Sequence, residues 1–309
     1  MHTKKRLEHD MPIDVDNNSE VFEGDPIAII SGYGSLPAEI ARGAQACGRR
    51  PFLIGLEGEA DHSIEEFDHR YMNLGQFGGL LKLLKEKGIS QIVMAGGVHS
   101  RPEVLKMKLD WGAFSSIPRV MALLLGGDDT LLSGLIKLFE DHNITVVGAH
   151  QVVPKLLSTS GRIAGRKPGH KDLANIELAA TACNALGSLD IGQAAIAEAG
   201  RVIAIEGVEG TDGLLQRIVE LRQSGRLPAV GKNGVLVKLM KTTQDHRVDM
   251  PAIGPNTVLE AKKAGLCGIA IDAGKSLILQ REETLDLANN NQIYIFGYQS
   301  SELPTRCSS

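Results

Sequence analysis

The sequence predicts an α/β protein: a parallel-sheet N-terminal domain joined to a second α/β domain. Short, continuous apolar runs alternate with helix-forming segments over residues 26–147, the order expected of a parallel sheet covered on both faces. The first run ends in Ser31-Gly32-Tyr33-Gly34, a glycine-rich strand-to-helix turn. A basic, glycine-rich stretch from Ser158 to Gly169 breaks the pattern before it resumes. At 309 residues, 43% of them hydrophobic, the chain also exceeds one core of roughly 100–200 residues.

Ile27-Ala28-Ile29-Ile30 reads as the first strand, apolar throughout because neither face meets water. The next helix has Pro37 in its first turn, where a missing N–H costs nothing, Ala38, Ile40, Ala41 and Ala44 in its body, and Gly48 at its end. Phe52-Leu53-Ile54 is the second strand. A helix near residues 76–87 leads to the strand Gln91-Ile92-Val93-Met94, which stops at Gly96-Gly97. A helical stretch to Leu125, a helix from Asp128 to Asp141 and the strand Ile144–Val147 complete this half. Ligands of such sheets bind beyond the carboxyl ends of the strands, where both glycine turns lie. The second half reads as a helix at 171–187, a strand pair around 193–205, a helix at 212–223, a strand at 235–237, a helix at 256–264, and strands at 269–271 and 293–296. The expected domains are a flexible, charge-dense tail over 1–24, an N-terminal domain over 25–157, a linker over 158–169 and a C-terminal domain over 170–309. No internal repeat is present.

Composition narrows the function. A formal charge of −4 gives no reason to expect a nucleic-acid duplex, whose binding relies on clustered cations, so any phosphate site must be local. Cys47, Cys183, Cys267 and Cys307 form no CxxC pair of the zinc type and read as reduced thiols. No apolar run approaches the roughly 20 residues that cross a bilayer, and the N-terminus lacks the apolar core of a signal peptide. The expectation is a cytoplasmic protein.

Several residues suit phosphate chemistry. Gly32-Tyr33-Gly34 after a strand lets phosphate oxygens approach a helix N-terminus, although an ordinary tight turn has the same pattern. In Gly97-Val98-His99-Ser100-Arg101, the guanidinium of Arg101 is suited to bidentate pairing with phosphate. Glu209-Gly210-Thr211-Asp212 puts a hydroxyl, a carboxylate and free backbone donors at one helix start, a place for phosphate and magnesium or for a plain N-cap. Lys238 and Lys241 flank a strand leading into Asp245-His246-Arg247-Val248-Asp249-Met250-Pro251. Cations beside carboxylates that can hold a divalent ion are what pyrophosphate cleavage requires, because charge spreads over the phosphoryl oxygens and the leaving group departs as an anion. Asp249 is the principal catalytic and metal-ligating candidate; holding metal and orienting water remain open as its roles.

Taken together, Ile27–Pro37 (IAIISGYGSLP), Leu189-Asp190-Ile191-Gly192-Gln193, Glu209–Asp212 and Arg247-Val248-Asp249-Met250-Pro251-Ala252-Ile253-Gly254 resemble the UDP-2,3-diacylglucosamine pyrophosphatases of the lipid A pathway, in their alphaproteobacterial form. The similarity runs in order from about residue 26 to about residue 299. It implies a Rossmann-like N-terminal domain associated with UDP, a C-terminal α/β domain that holds the lipid product, and magnesium-dependent attack of water on the α-phosphorus, releasing UMP and 2,3-diacylglucosamine 1-phosphate. The family's important aspartate carries over to Asp249, and its Gly-Thr-Asp motif to Thr211 and Asp212. With these, Lys238 and Arg247 are expected at the reaction, and Gly32, Tyr33, Gly34, Arg101, Lys241 and Gln193 at the substrate. The resemblance further implies a homodimer, with transient contact at the inner membrane face because the substrate is amphipathic. The sequence departs from the family in its N-terminal extension and in carrying Tyr33 where many relatives have glycine. A nucleotide-sugar transferase or oxidoreductase on the same glycine turn, or a non-catalytic UDP-lipid carrier, stand as alternatives: NAD(P) binding or glycosyl transfer would favour the former, tight binding without turnover the latter.

Overall fold

A computed structural model describes residues 24–73, 75–98, 128–229, 234–242 and 244–299. Thus the tail expected over 1–24, apart from Gly24, and the helical stretch to Leu125 lie outside the described residues. The first half contains strands β1 (Pro26–Ser31), β2 (Arg50–Leu56), β3 (His69–Met72), β4 (Gln91–Ala95) and β5 (Thr145–Val146). Its helices are α1 (Leu36–Ala46), α2 (Phe77–Glu86), α3 (Asp128–Glu140) and the single turn α4 (Ala149–Val152). The strands lie in the order β3-β2-β1-β4-β5, all parallel.

The apolar runs explain why this sheet is covered twice. Successive residues of a strand point to opposite faces. Ile27 and Ile29 accordingly enter one core with Ile40, Leu53 and Val153, while Ala28 enters the other with Phe77, Leu84 and Phe139. Between β1 and β4 the order reverses, and a crevice opens where the chains leave the sheet in opposite directions.

The second half comprises β6 (Gly161–Ala164), α5 (His170–Ser188), β7 (Ala194–Glu198), β8 (Arg201–Ile205), α6 (Gly210–Gln223), β9 (Gly234–Lys238), β10 (Ala252–Ile253), α7 (Pro255–Lys263), β11 (Leu266–Asp272), β12 (Leu277–Ile278), α8 (Arg281–Asn290) and β13 (Tyr294–Tyr298). Six strands form a mixed sheet in the order β6-β13-β11-β9-β7-β8, with β13, β11 and β9 parallel and the flanking pairs antiparallel. Leu236 faces one core and its neighbours Val235 and Val237 face the other. Part of the segment expected as a linker is sheet: β6 pairs antiparallel with β13, so residues 161–164 form an edge of the second layer.

The halves share packing. Leu277 belongs to the core on one face of the first sheet, where Met250, Ala252 and Leu279 also pack. The two-stranded parallel pair β10–β12 carries Ala252 and Leu277 across. The Gln280 N–H donates to both carboxylate oxygens of Glu39 on α1, at 3.0 and 2.9 Å, and Arg247 pairs with Glu140 of α3 at 2.8 Å.

Candidate active site

A cleft of about 520 Å³ is lined by both halves. From the first come Tyr33, Gly34, Ser35, Leu36, Gly96 and Gly97; from the second come Gly210, Thr211, Asp212, Lys238 and the segment 246–250. The carboxyl end of β1 in one sheet and that of β9 in the other therefore open on the same space, because the β10–β12 pair docks the second half over the switch point of the first.

On the first side the glycines permit close backbone approach. The turn after β1 and the turn after β4 exchange two backbone hydrogen bonds, Tyr33 N–H to Gly97 O at 2.8 Å and Gly97 N–H to Tyr33 O at 2.9 Å. A Cβ on Gly32 would stand 2.0 Å from the Gly97 oxygen, so no side chain fits there. Gly96 has φ +88°, a left-handed conformation in which an L side chain is strained. The Tyr33 ring covers Gly97 and remains exposed to the cleft. Gly34 lines the cleft, but its N–H donates to Asp61 Oδ2 at 2.5 Å.

Two helix starts open on the cleft. α1 and α6 both begin at the cleft wall, and neither has a side-chain cap on its N-terminus. First-turn N–H groups have no partner within their own helix, and with the helix dipole they favour an anion. Thr211 and Asp212, for which capping was an open alternative, lie inside the first turn of α6, with Glu209 at the cap position. The Thr211 hydroxyl donates to Glu206 Oε1 at 2.6 Å, leaving its lone pairs as its remaining capacity. Asp212 accepts from Asn256 Nδ2 at 3.0 Å.

Lys238, at the end of β9, is the cation among these acids. It donates to the Ala252 carbonyl at 3.1 Å. Burial pushes its ammonium pKa below the ordinary lysine value, while the charges of Glu206, Asp212 and Asp249 oppose that shift. Asp249 is half-buried and lines the cleft; its Oδ2 accepts from Gln244 Nε2 at 2.6 Å, and its N–H donates to the Asp245 carbonyl at 3.0 Å. Asp249 thus faces a space shared by the two halves.

The remaining expected residues are more dispersed. Arg247 lines the cleft, yet its guanidinium is engaged by Asp245 at 2.7 Å and Glu140 at 2.8 Å, which hold its pKa above the ordinary arginine value. Its observed work is to tie the second half to α3. Lys241 and Gln193 stand outside the cleft lining. Lys241 pairs with Asp190 at 2.5 Å, and Gln193 donates its N–H to Glu206 Oε2 at 2.8 Å. Arg101 lies outside the described residues. Glu206, Gln244 and Asn256 escaped the sequence reading: each is a single polar residue whose partners are set by folding, and no local pattern marks it.

The acceptors here are oxygen atoms: the carboxylates of Asp212 and Asp249 and the Thr211 hydroxyl. Such a set fits magnesium, which is commonly held by one or two carboxylates together with substrate phosphate oxygens rather than by an all-protein cage. Among the described residues, no three His, Cys, Asp or Glu side chains converge as a self-sufficient metal cage.

Comparison with known proteins bears on the family. The models of the LpxI N-terminal domain and the LpxI C-terminal domain match residues 26–156 and 159–296. A Caulobacter vibrioides protein named UDP-2,3-diacylglucosamine pyrophosphatase LpxI is 34% identical over 278 residues, covering 90% of this chain and 99% of the relative. Among solved structures, a GalE-like L-threonine dehydrogenase from Cupriavidus necator shares 16% identity over 46% of this chain and 42% of its own, with a TM-score of 0.25. A UDP-glucose-4-epimerase from Stenotrophomonas maltophila shares 15% over 44% and 37%, with a TM-score of 0.23. The chain spans less than half of either enzyme, and these likenesses carry no functional argument. With both domain models matched in order and a relative aligned nearly end to end, the chain belongs to the LpxI family.

Proposed function

We infer that the protein hydrolyses the pyrophosphate bond of UDP-2,3-diacylglucosamine in lipid A synthesis, giving UMP and 2,3-diacylglucosamine 1-phosphate. The observation that carries this reading is the shared cleft, in which a glycine-lined switch point faces Asp249, Asp212, Thr211 and Lys238 across a space walled by two uncapped helix starts. The name and near-complete alignment of the Caulobacter relative support the choice of substrate.

In this reading the α1 and α6 N-termini bind the diphosphate, and the Tyr33–Gly97 turn receives the nucleotide side. Water attacks the α-phosphorus; its oxygen becomes part of UMP, and the bridging oxygen leaves with the sugar phosphate. Lys238 neutralises charge that grows on the leaving phosphate. Asp249, with Asp212 and Thr211, would hold Mg²⁺, which when bound neutralises phosphoryl oxygens and lowers the cost of charge in the transition state. Glu206 fixes the Thr211 hydroxyl so that its lone pairs are available to such a ligand.

No described helix is long and apolar enough to cross a membrane. Val208 is fully exposed immediately before the cleft-lining residues 209–212, and Leu189 and Ile191 are exposed as well. These apolar side chains support a transient contact of a cytoplasmic enzyme with the inner membrane face, and we assign it a homodimeric state from its family likeness.

The test is a turnover assay with UDP-diacylglucosamine, with and without Mg²⁺, in oxygen-18 water. Label in UMP is expected; label in the sugar phosphate would overturn attack at the α position. Asp249→Ala is expected to abolish UMP release while keeping a cooperative melt, and turnover near the wild-type rate would refute its role.

A further inference from the structure

We propose that Gln244 is a positioning residue for Asp249, acting through a hydrogen-bond polarity that the main chain fixes. Gln244 is buried, 8% exposed, at the base of the segment that presents Asp249. Its Oε1 accepts the Lys241 backbone N–H at 2.8 Å, and its own N–H donates to the Lys241 carbonyl at 3.2 Å. Because a backbone N–H can only donate, the atom facing Lys241 must be the amide oxygen, so the NH₂ group must face the other way. There it donates to Asp249 Oδ2 at 2.6 Å.

That orientation is therefore dictated by the main chain rather than by the carboxylate it serves. The NH₂ group can only donate, so it requires an acceptor lone pair at Oδ2. Meanwhile the Val248 and Asp249 N–H groups both bond to the Asp245 carbonyl, at 3.1 and 3.0 Å, fixing the backbone from which the carboxylate springs. Asp249 is held at its main chain by the turn and at one oxygen by Gln244. A carboxylate at the wall of a reaction cleft gains from such restraint, since misplacement of a reacting or metal-holding group is costly and a positioned one pays no ordering entropy during reaction.

The inference rests on the proposed hydrolysis for its kinetic readout, but its structural readout is independent of it. Gln244→Glu separates positioning from simple loop maintenance. It keeps an oxygen for the Lys241 N–H while replacing the donor to Asp249 by a second carboxylate. The expected result is a kcat about 10–100-fold below wild type, the range for loss of a partner that orients a metal-binding group, with UDP affinity by calorimetry close to wild type. A kcat within about threefold of wild type would show that the Lys241 contact alone matters and would overturn the proposal. Gln244→Met, of similar size and with neither contact, supplies the second readout: in its crystal structure the Asp249 carboxylate leaves its wild-type position. A carboxylate that stays in place overturns the proposal. Wild-type protein that releases no UMP would instead remove the hydrolase reading, with the Asp249 position in Gln244→Met still deciding this one.

Discussion

Replacing Lys238 by methionine removes a charge while keeping most of the side-chain volume. The ammonium stands among Glu206, Asp212 and Asp249, and one of its three N–H groups is spent on the Ala252 carbonyl. A charge-assisted hydrogen bond of the kind a phosphate oxygen would accept from it contributes about 1.5–3 kcal/mol. Lost from the transition state, that is roughly a 10–150-fold fall in kcat/KM. Glu206 keeps its bonds from Gln193 N–H and the Thr211 hydroxyl, so the fold should survive and a single cooperative melt should remain. The assay is UMP release followed across pH. Burial lowers the Lys238 pKa, so the wild-type alkaline limb should fall below the pH of an ordinary lysine, near 10.4. That limb should be missing in Lys238→Met. A variant with kcat/KM within about threefold of wild type, or with an unchanged alkaline limb, would refute the assignment.

Two other perturbations follow from the same packing. Gly32→Ala places a methyl 2.0 Å from the Gly97 oxygen, a backbone atom that cannot swing aside, so overpacking should cost about 1–3 kcal/mol and weaken UDP binding, read by thermal melt and calorimetry. Asp272 is buried, and desolvation raises its pKa above the ordinary carboxylate value. A raised carboxyl pKa means the folded state binds more protons, so this residue costs stability above its folded pKa and the cost vanishes below its unfolded value near 3.9. Asp272→Asn should therefore raise the melting temperature at pH 8, with the gap to wild type closing on acidification; a gap that widens as pH falls would refute the sign.

How much could be read in advance depended on the range of the interaction. The βα turn at 31–34 was legible because an apolar run, glycines and Pro37 fall within a dozen residues. Strand β3 was missed, since His69-Arg70-Tyr71-Met72 has neither a continuous apolar run nor clean alternation. β10 and β12, two residues each, are too short to show any period. Part of the expected linker became an edge strand because β13 offered it a partner more than 130 residues away.

At the candidate site, the acidic loop and the Glu-Gly-Thr-Asp helix start were visible as local chemistry, and their order along the chain carried the family likeness. Which charges remain available for a ligand was not visible. Arg247 reads as a phosphate cation, yet folding brings Glu140 to it from 107 residues away, and Lys241 meets Asp190 from 51 residues away. Glu206 and Gln244, each a lone polar residue in sequence, acquire their significance only when the strand ends bring Thr211, Lys238 and Asp249 around them. The alternating order of apolar runs and helices, the glycine turns and the reactive residue types were legible, because these follow from periodicity and backbone preference over a few neighbours. The tertiary structure alone decided which side chains share the cleft and which are consumed as ties between the halves, because hydrogen bonds and ion pairs are set by distances in space, to which sequence separation gives no guide.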